Sequence, residues 1–268
     1  MTHPALAMIG AVFLWWFSTG IIMLAVRRAD HGGHRARRVL VWGTLPILLV
    51  GIGIIGLSLQ VVDVISVYLG FVGALVLWGW IELAFLAGVI TGPVREDCPH
   101  GLAGWPRFQR AFGTLAWHEL LLTLGLCGLV LLTSDAANRM ALSTYLVLYL
   151  ARIFAKLNLY FGVPRINTEF LPSPLAHLKS YFRQGTPTLA FPAAITALTA
   201  LLVVCIERFW FAQAPATVVG FALLSALTAL ALLEHWLMVI PLPDAKLWRW
   251  MLPAPHAMTT EESKDHGF

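Results

Sequence analysis

Five ionisable side chains lie inside otherwise apolar stretches of this sequence: Glu82, the adjacent pair His118 and Glu119, and the adjacent pair Glu234 and His235. Each stretch is long enough to span a membrane. An acidic residue at the centre of a membrane helix costs about 2.5 to 3.5 kcal/mol on insertion scales. Because that cost must be offset by some use, these five residues are the first candidates for a functional site.

Three kinds of chemistry fit these residue types. The first is a structural network in which Arg152 neutralises a carboxylate and the histidines form hydrogen bonds, since buried charges need partners. The second is a tetrapyrrole site, in which an imidazole nitrogen of His118 or His235 coordinates the magnesium or iron of a (bacterio)chlorophyll-type macrocycle. Tryptophans flank both histidines.

The third kind is a metal centre built from all five residues, as in helix-bundle carboxylate proteins. Bundle metal sites use Glu-x-x-His, which places both ligands on one helical face. Adjacent His-Glu residues instead diverge by about 100° around a helix. This spacing disfavours the metal centre, and a proton or solute pathway is a further alternative.

Composition indicates a membrane protein. Of the 268 residues, 59% are hydrophobic and 12% are charged, whereas soluble domains carry about 25% charged residues. The three cysteines, Cys98, Cys127 and Cys205, have no paired or CxxC spacing, which predicts neither disulfides nor a zinc module. The fold class expected is therefore an all-α, polytopic membrane bundle.

Seven transmembrane helices are predicted from the apolar runs, within a single domain over residues 1–252. A polar and disordered cytoplasmic tail is expected over 253–268. The predicted spans are 5–26, 39–60, 64–90, 111–132, 140–157, 188–209 and 216–240.

The basic residues set the orientation of these spans. With seven spans, 16 of the 18 Lys and Arg residues fall on one side, which the positive-inside rule assigns to the cytoplasm. The N-terminus is then periplasmic and the C-terminus cytoplasmic. The net charge of +4 reflects this orientation, with membrane lipids rather than nucleic acid as the partner.

Three segments on the inner side are expected as loops: 27–38, 91–110 and 158–187. Residues 174–182 of the third could form a short interfacial helix. This third loop supplies further candidate site residues, namely Asn158, Tyr160, Asn167, Glu169 and His177.

The candidates within the spans share one depth. At about 1.5 Å per residue, Glu82, His118, Glu119, Arg152, Glu234 and His235 all lie roughly 8 to 12 Å from the inner ends of their helices. A common depth predicts one polar site that opens toward the cytoplasm.

Several phrases of the sequence resemble a known family. They are FLWWFSTGIIMLAV at 13–26, KLNLYFGVPRINTEFLP at 156–172 and LLEHWLMVIPLPDAKLWRW at 232–250. With the seven spans, they resemble the PuhE family of photosynthetic complex assembly proteins of purple phototrophic bacteria, encoded near the reaction-centre H subunit. The resemblance covers nearly the whole chain.

The resemblance implies a multi-pass protein of the bacterial inner membrane. Its implied role is to support formation of the reaction-centre and light-harvesting complexes, with an effect on bacteriochlorophyll supply. The implied partners are photosynthetic subunits or pigment-synthesis proteins, and the family offers no catalytic residues to carry over. The rival hypothesis is a membrane-embedded metal- or tetrapyrrole-binding enzyme that uses the Glu and His cluster, and a small transporter ranks behind both.

Overall fold

The computed structural model describes residues 3–241, and every long element within them is a helix. Apolar runs of about 20 residues favour helices because a helix satisfies its own backbone hydrogen bonds in lipid. The nine α-helices are α1 (Pro4–His31), α2 (Gly33–Gly43), α3 (Leu45–Ser58), α4 (Val64–Leu86), α5 (Gly104–Gly113), α6 (Ala116–Leu132), α7 (Met140–Phe161), α8 (Ala190–Phe211) and α9 (Pro215–Leu237).

The prediction of an all-helical protein is confirmed for the described residues. Within the described residues, six helical spans are long and apolar enough to cross a membrane, with α2 and α3 together forming one of them. A seventh arises if α5 and α6, which meet at an angle of 70°, count as one span. Apart from His118 and Glu119, α6 is almost entirely apolar, whereas α5 carries Arg107 and Arg110.

Four helices, α1, α4, α7 and α9, form the centre of the molecule and pack at their N-terminal ends. Small residues allow this close approach, and Ala7, Ala11, Ala216 and Ala222 all belong to one buried cluster. A Cβ added at Gly70 would lie 3.1 Å from the Met140 Cβ atom. The N-terminal halves of these helices are therefore tightly packed against one another.

At their C-terminal ends the same four helices are covered by two connecting segments. The 3₁₀ segment Ser173–Tyr181, hereafter the cap, is bound to the α1–α2 junction because Asp30 accepts hydrogen bonds from Ser173 N and Ser173 Oγ at 3.1 and 2.7 Å. The segment between α4 and α5 also contacts the cap, since Ser180 Oγ accepts a hydrogen bond from Cys98 N at 2.8 Å.

The structure corrects the predicted loops. Segment 27–38 is not a loop, because α1 continues to His31 and α2 begins at Gly33; its basic residues extend the helices. Two shorter helical parts of the predicted loops were also missed: residues 104–110 belong to α5, which starts at Gly104, and residues 158–161 belong to α7, which ends at Phe161. The short helix predicted at 174–182 is present as the cap. The predicted tail, 253–268, lies outside the described residues.

Candidate functional site

A cavity of about 420 Å³ lies between the C-terminal halves of α1, α4, α7 and α9, beneath the cap. Ligand pockets in proteins commonly measure about 300 to 1,000 Å³. The lining residues recur at helical spacing on each helix, as in Leu227, Ala231 and Glu234 on α9. One stripe of each central helix therefore faces the cavity.

Charged and apolar residues are separated along the length of this cavity. Trp15, Leu75, Val147 and Leu227 line it toward the middle of the bundle, while charged residues line it nearer the cap. The charged lining residues are Arg27, Glu82, Arg152, Lys156 and Glu234. The site thus has an apolar inner part and one charged layer.

Glu82 is the centre of an ionic cluster between α4, α6 and α7. Its Oε2 atom accepts a hydrogen bond from Arg152 Nη2 at 2.9 Å. Its Oε1 atom lies 3.7 Å from His118 Nε2, which is too long for a hydrogen bond. The structure therefore contains the expected ion pair between Arg152 and a carboxylate, with Glu82 as the carboxylate.

A second ion pair lies one helical turn further along α7. Lys156 Nζ donates a hydrogen bond to Glu119 Oε1. Residues 152 and 156 face the same side of α7, while His118 and Glu119 diverge around α6. The adjacent pair on α6 thus contributes to both sites, with His118 beside Glu82 and Glu119 beside Lys156.

Glu234 faces the cavity, whereas its neighbour His235 faces away from it. The Glu234 side chain has free surface and lines the cavity, and within residues 3–241 it makes no hydrogen bond or ion pair. His235 is only 1% exposed, and its Nδ1 lies 2.7 Å from the carbonyl oxygen of Ala231, to which it donates when protonated.

Neither candidate imidazole is placed to coordinate a ligand in the cavity. His118 is fully buried, its ring lies 4.2 Å from that of Phe85 between centroids, and neither histidine lines the cavity. The geometry therefore disfavours the predicted tetrapyrrole coordination by His118 or His235.

The five residues also do not gather into a metal centre. In the described part of the chain, no group of three or more His, Cys, Asp or Glu side chains is arranged to hold a metal ion. Glu119 is engaged by Lys156 and His235 by a backbone carbonyl. Within the described residues, the candidate metal set Glu82, His118, Glu119, Glu234 and His235 is therefore not brought together around one point, because adjacent residues on one helix point in different directions.

The loop candidates have separate environments. Asn167 lines the cavity, and Glu169 is exposed beyond it. Asn158 is buried on α7, and neither atom of its side-chain amide has a hydrogen-bond partner among residues 3–241. Tyr160 lies beneath the Arg107 guanidinium, with the Arg107 Cζ atom 4.5 Å from the ring centroid. Burial lowers the pKa of His177 in the cap.

Two charged lining residues, Lys156 and Arg27, were missed as site residues from the sequence. Lys156 was placed at the inner end of a span that stopped at 157, but α7 runs to Phe161 and carries it inward. Arg27 was assigned to a loop, although α1 continues past it. The repeat of Arg152 and Lys156 at i and i+4 was the available signal, since such residues share a helical face.

Comparison of the sequence with known protein families identifies one that matches almost the whole chain. A family model described as a protein of unknown function, DUF3623, matches residues 1–259.

The chain belongs to the DUF3623 family. A relative from Rhodobacter capsulatus, described as an uncharacterized 30.4 kDa protein in the puhA 5′ region, is 48% identical over 256 residues. The match covers 95% of this chain and 93% of the relative, so it includes the central helices and the cap. No solved structure matches the chain.

Proposed function

We propose that the protein is an inner-membrane factor that supports assembly of photosynthetic reaction-centre and light-harvesting complexes. The observation that carries this proposal is the relative described by its place in the puhA 5′ region, which is similar over almost the full length of both chains. The resemblance of three segments to the PuhE family, whose members are encoded near the reaction-centre H subunit, supports the same role.

The architecture supports a role in helping other proteins or pigments within the membrane. The helices are compatible with a multi-pass protein. Within residues 3–241, no separate domain lies outside these helices and the segments that connect them. The proposed partners are photosynthetic subunits or pigment-synthesis proteins. An effect on bacteriochlorophyll supply would then involve binding in the cavity, without coordination of the pigment's metal by a histidine.

The proposed orientation has the cap on the cytoplasmic side and the N-terminus in the periplasm. Arg139 and Arg208 are the only Lys or Arg residues of the described chain at the end opposite the cap. Labelling of Cys98 tests on which side of the membrane the cap lies, because Cys98 is in the connection beside the cap while Cys127 and Cys205 lie within α6 and α8. A membrane-impermeant maleimide is expected to label Cys98 in inverted vesicles and not in spheroplasts; the reverse pattern would overturn the orientation.

Deletion of the gene in its own phototrophic host tests the function. We expect near-infrared absorbance of the reaction-centre and antenna complexes to fall, with recovery when the wild-type gene is restored. Affinity capture from solubilised photosynthetic membranes is expected to retain reaction-centre, antenna or pigment-synthesis proteins. Unchanged absorbance together with no such partner would contradict the proposal.

A further inference from the structure

The cavity has the shape and polarity of a site for a single-chain amphiphile. On α1 its lining extends from Trp15 to Arg27, twelve residues or about 18 Å of helix. Apolar and aromatic side chains such as Leu75, Trp78 and Val147 line the inner part, and the charged layer lies nearer the cap. An elongated space with one polar end fits a molecule with an apolar chain and one polar head.

The ion pairs decide which charge the cavity offers to a ligand. Arg152 is paired with Glu82, and Lys156 with Glu119, so these four charges compensate one another. Arg27, the remaining cation of the lining, is engaged in an interaction of its own. Glu234 faces the same cavity and has no hydrogen bond or ion pair within residues 3–241. A carboxylate in a site of low polarity is stabilised most by an opposite charge or a strong donor.

We propose that this cavity binds a single-chain amphiphile whose head carries a protonated amine. The ammonium group sits at the Glu234 carboxylate, and the chain occupies the apolar part between α1, α4, α7 and α9. This inference is independent of the photosynthetic role, since it rests only on the cavity and its charges.

Other head groups and a second chain fit the cavity less well than a single-chain amine. A carboxylate or phosphate head would compete with Glu82 for Arg152 or with Glu119 for Lys156, and it would bring a second negative charge beside Glu234. A hydroxyl head would form a hydrogen bond to Glu234 and leave its charge uncompensated. A lipid with two chains would need more space than the cavity of about 420 Å³ between these helices.

Native mass spectrometry of the full-length protein in a non-ionic detergent tests the proposal. The probes are hexadecylamine, hexadecanol and hexadecanoate, which share one chain and differ in the head, and butylamine, which keeps the amine without the long chain. We expect a one-to-one hexadecylamine adduct and at least about tenfold less of two other probes, hexadecanoate because it lacks the positive head and butylamine because it lacks the long chain.

Three variants give the matched comparison. Glu234→Gln removes the charge in the cavity, and Glu207→Gln makes the same change at an exposed residue of α8. Ala151→Leu fills the lining of the cavity without changing its charge. We expect Glu234→Gln to weaken hexadecylamine binding about tenfold, Ala151→Leu to weaken binding of both long-chain amine and alcohol, and Glu207→Gln to match the wild type.

Several results would overturn the proposal. They are no hexadecylamine adduct on the wild type, equal binding by the wild type and Glu234→Gln, or binding of hexadecanoate as strong as that of the amine. Binding of butylamine as strong as hexadecylamine would equally overturn it, because the apolar part of the cavity would then be unused. If Glu234→Gln does not fold, two other measurements still test the proposal. They are the comparison of the three head groups on the wild type and the binding of hexadecylamine to Ala151→Leu.

Discussion

At the scale of single residues, Arg152 and Lys156 occupy successive turns of α7 and each meets a carboxylate from another helix. Glu82 comes from α4 and Glu119 from α6. Buried ion pairs add little net stability, because desolvation offsets their attraction, but removing one partner leaves an uncompensated charge. The pairs therefore fix how three helices meet more than they strengthen the fold.

Replacing Arg152 by Met is expected to destabilise the protein more than removing both partners. The single change leaves Glu82 without its cation, at a cost of about 1 to 3 kcal/mol, below the value for fully buried pairs because the Arg152 side chain is 33% exposed. Adding Glu82→Gln to Arg152→Met should recover much of the loss. Chemical denaturation of the two single variants and the double variant measures the free energy of unfolding for this double-mutant cycle. Strictly additive losses of unfolding free energy would argue against a specific pair.

The same residues show what the sequence could and could not establish. Their types and shared depth predicted a polar layer, and Arg152 was correctly expected to pair with a carboxylate. The face that each residue presents depends on which helices are neighbours, and no periodicity within one helix contains that information. For this reason His118 and His235 were reasonable ligand candidates, yet both lie away from the cavity.

At the scale of elements, the bend between α5 and α6 depends on Gly92. Val94 N donates a hydrogen bond to Gly113 O at 3.1 Å, and His118 N to Thr91 O at 3.0 Å. A Cβ at Gly92 would lie 2.0 Å from Gly113 O. The segment that leaves α4 thus passes directly against the backbone of the bend, where only glycine leaves enough space.

Gly92→Ala is expected to lower the thermal unfolding midpoint markedly and to reduce the yield of folded protein. The clash is with backbone atoms, which cannot move aside as a side chain could. Gly53→Ala is the matched control, because a Cβ there meets no atom within 4 Å and alanine is favoured in a helix. Equal midpoints for the two variants would contradict the proposed contact.

The start of α4 is fixed by a capping box that should respond to pH. The Asp63 side chain accepts a hydrogen bond from Ser66 N at 2.7 Å, and Ser66 Oγ accepts one from Asp63 N at 3.0 Å. These hydrogen bonds, first the one from the Ser66 backbone, lower the pKa of Asp63. The ionised cap therefore stabilises the folded state above the unfolded pKa, and this contribution is lost as pH falls through the lower folded pKa.

Asp63→Ala is accordingly expected to lower the unfolding midpoint at neutral pH and to lose that deficit in acid. The difference from the wild type should stay constant above about pH 5 and shrink between about pH 5 and about pH 2, because the folded pKa lies below the ordinary 3.8. Asp63→Asn keeps an acceptor for Ser66 N and should retain more of the midpoint with less dependence on pH. A deficit of Asp63→Ala that stays constant across this range would exclude the ionised cap as its source.

The elements themselves were mostly predictable. Composition and long apolar runs established the helices, and the cap was expected within one residue of its position at each end. The helical continuation through 27–38 was missed because charged residues were taken as the end of a span. A helix can extend beyond the membrane when its polar residues are solvated or paired, as Arg37 is with Asp30 at 2.7 Å.

At the scale of the whole molecule, the helices pack tightly at one end and separate at the other, where the cap closes the space between them. Asp30 connects the cap to the α1–α2 junction through Ser173 and Arg37. Tyr181 and Ser180 connect it to the segment that follows α4. Any molecule that enters the cavity from the end covered by the cap must therefore displace the cap or loosen these contacts.

Loss of the Asp30 contacts should open the cap without altering the charged layer. Asp30→Ala removes both hydrogen bonds to Ser173, so amide hydrogen exchange in Ser173–Tyr181 is expected to accelerate, and hexadecylamine to exchange faster where it binds. Glu169→Gln is the matched control, an exposed change in the same connection, and should leave both rates unchanged. Hydrogen exchange measured by mass spectrometry resolves this segment, and unchanged exchange in Asp30→Ala would show that the other contacts alone hold the cap closed.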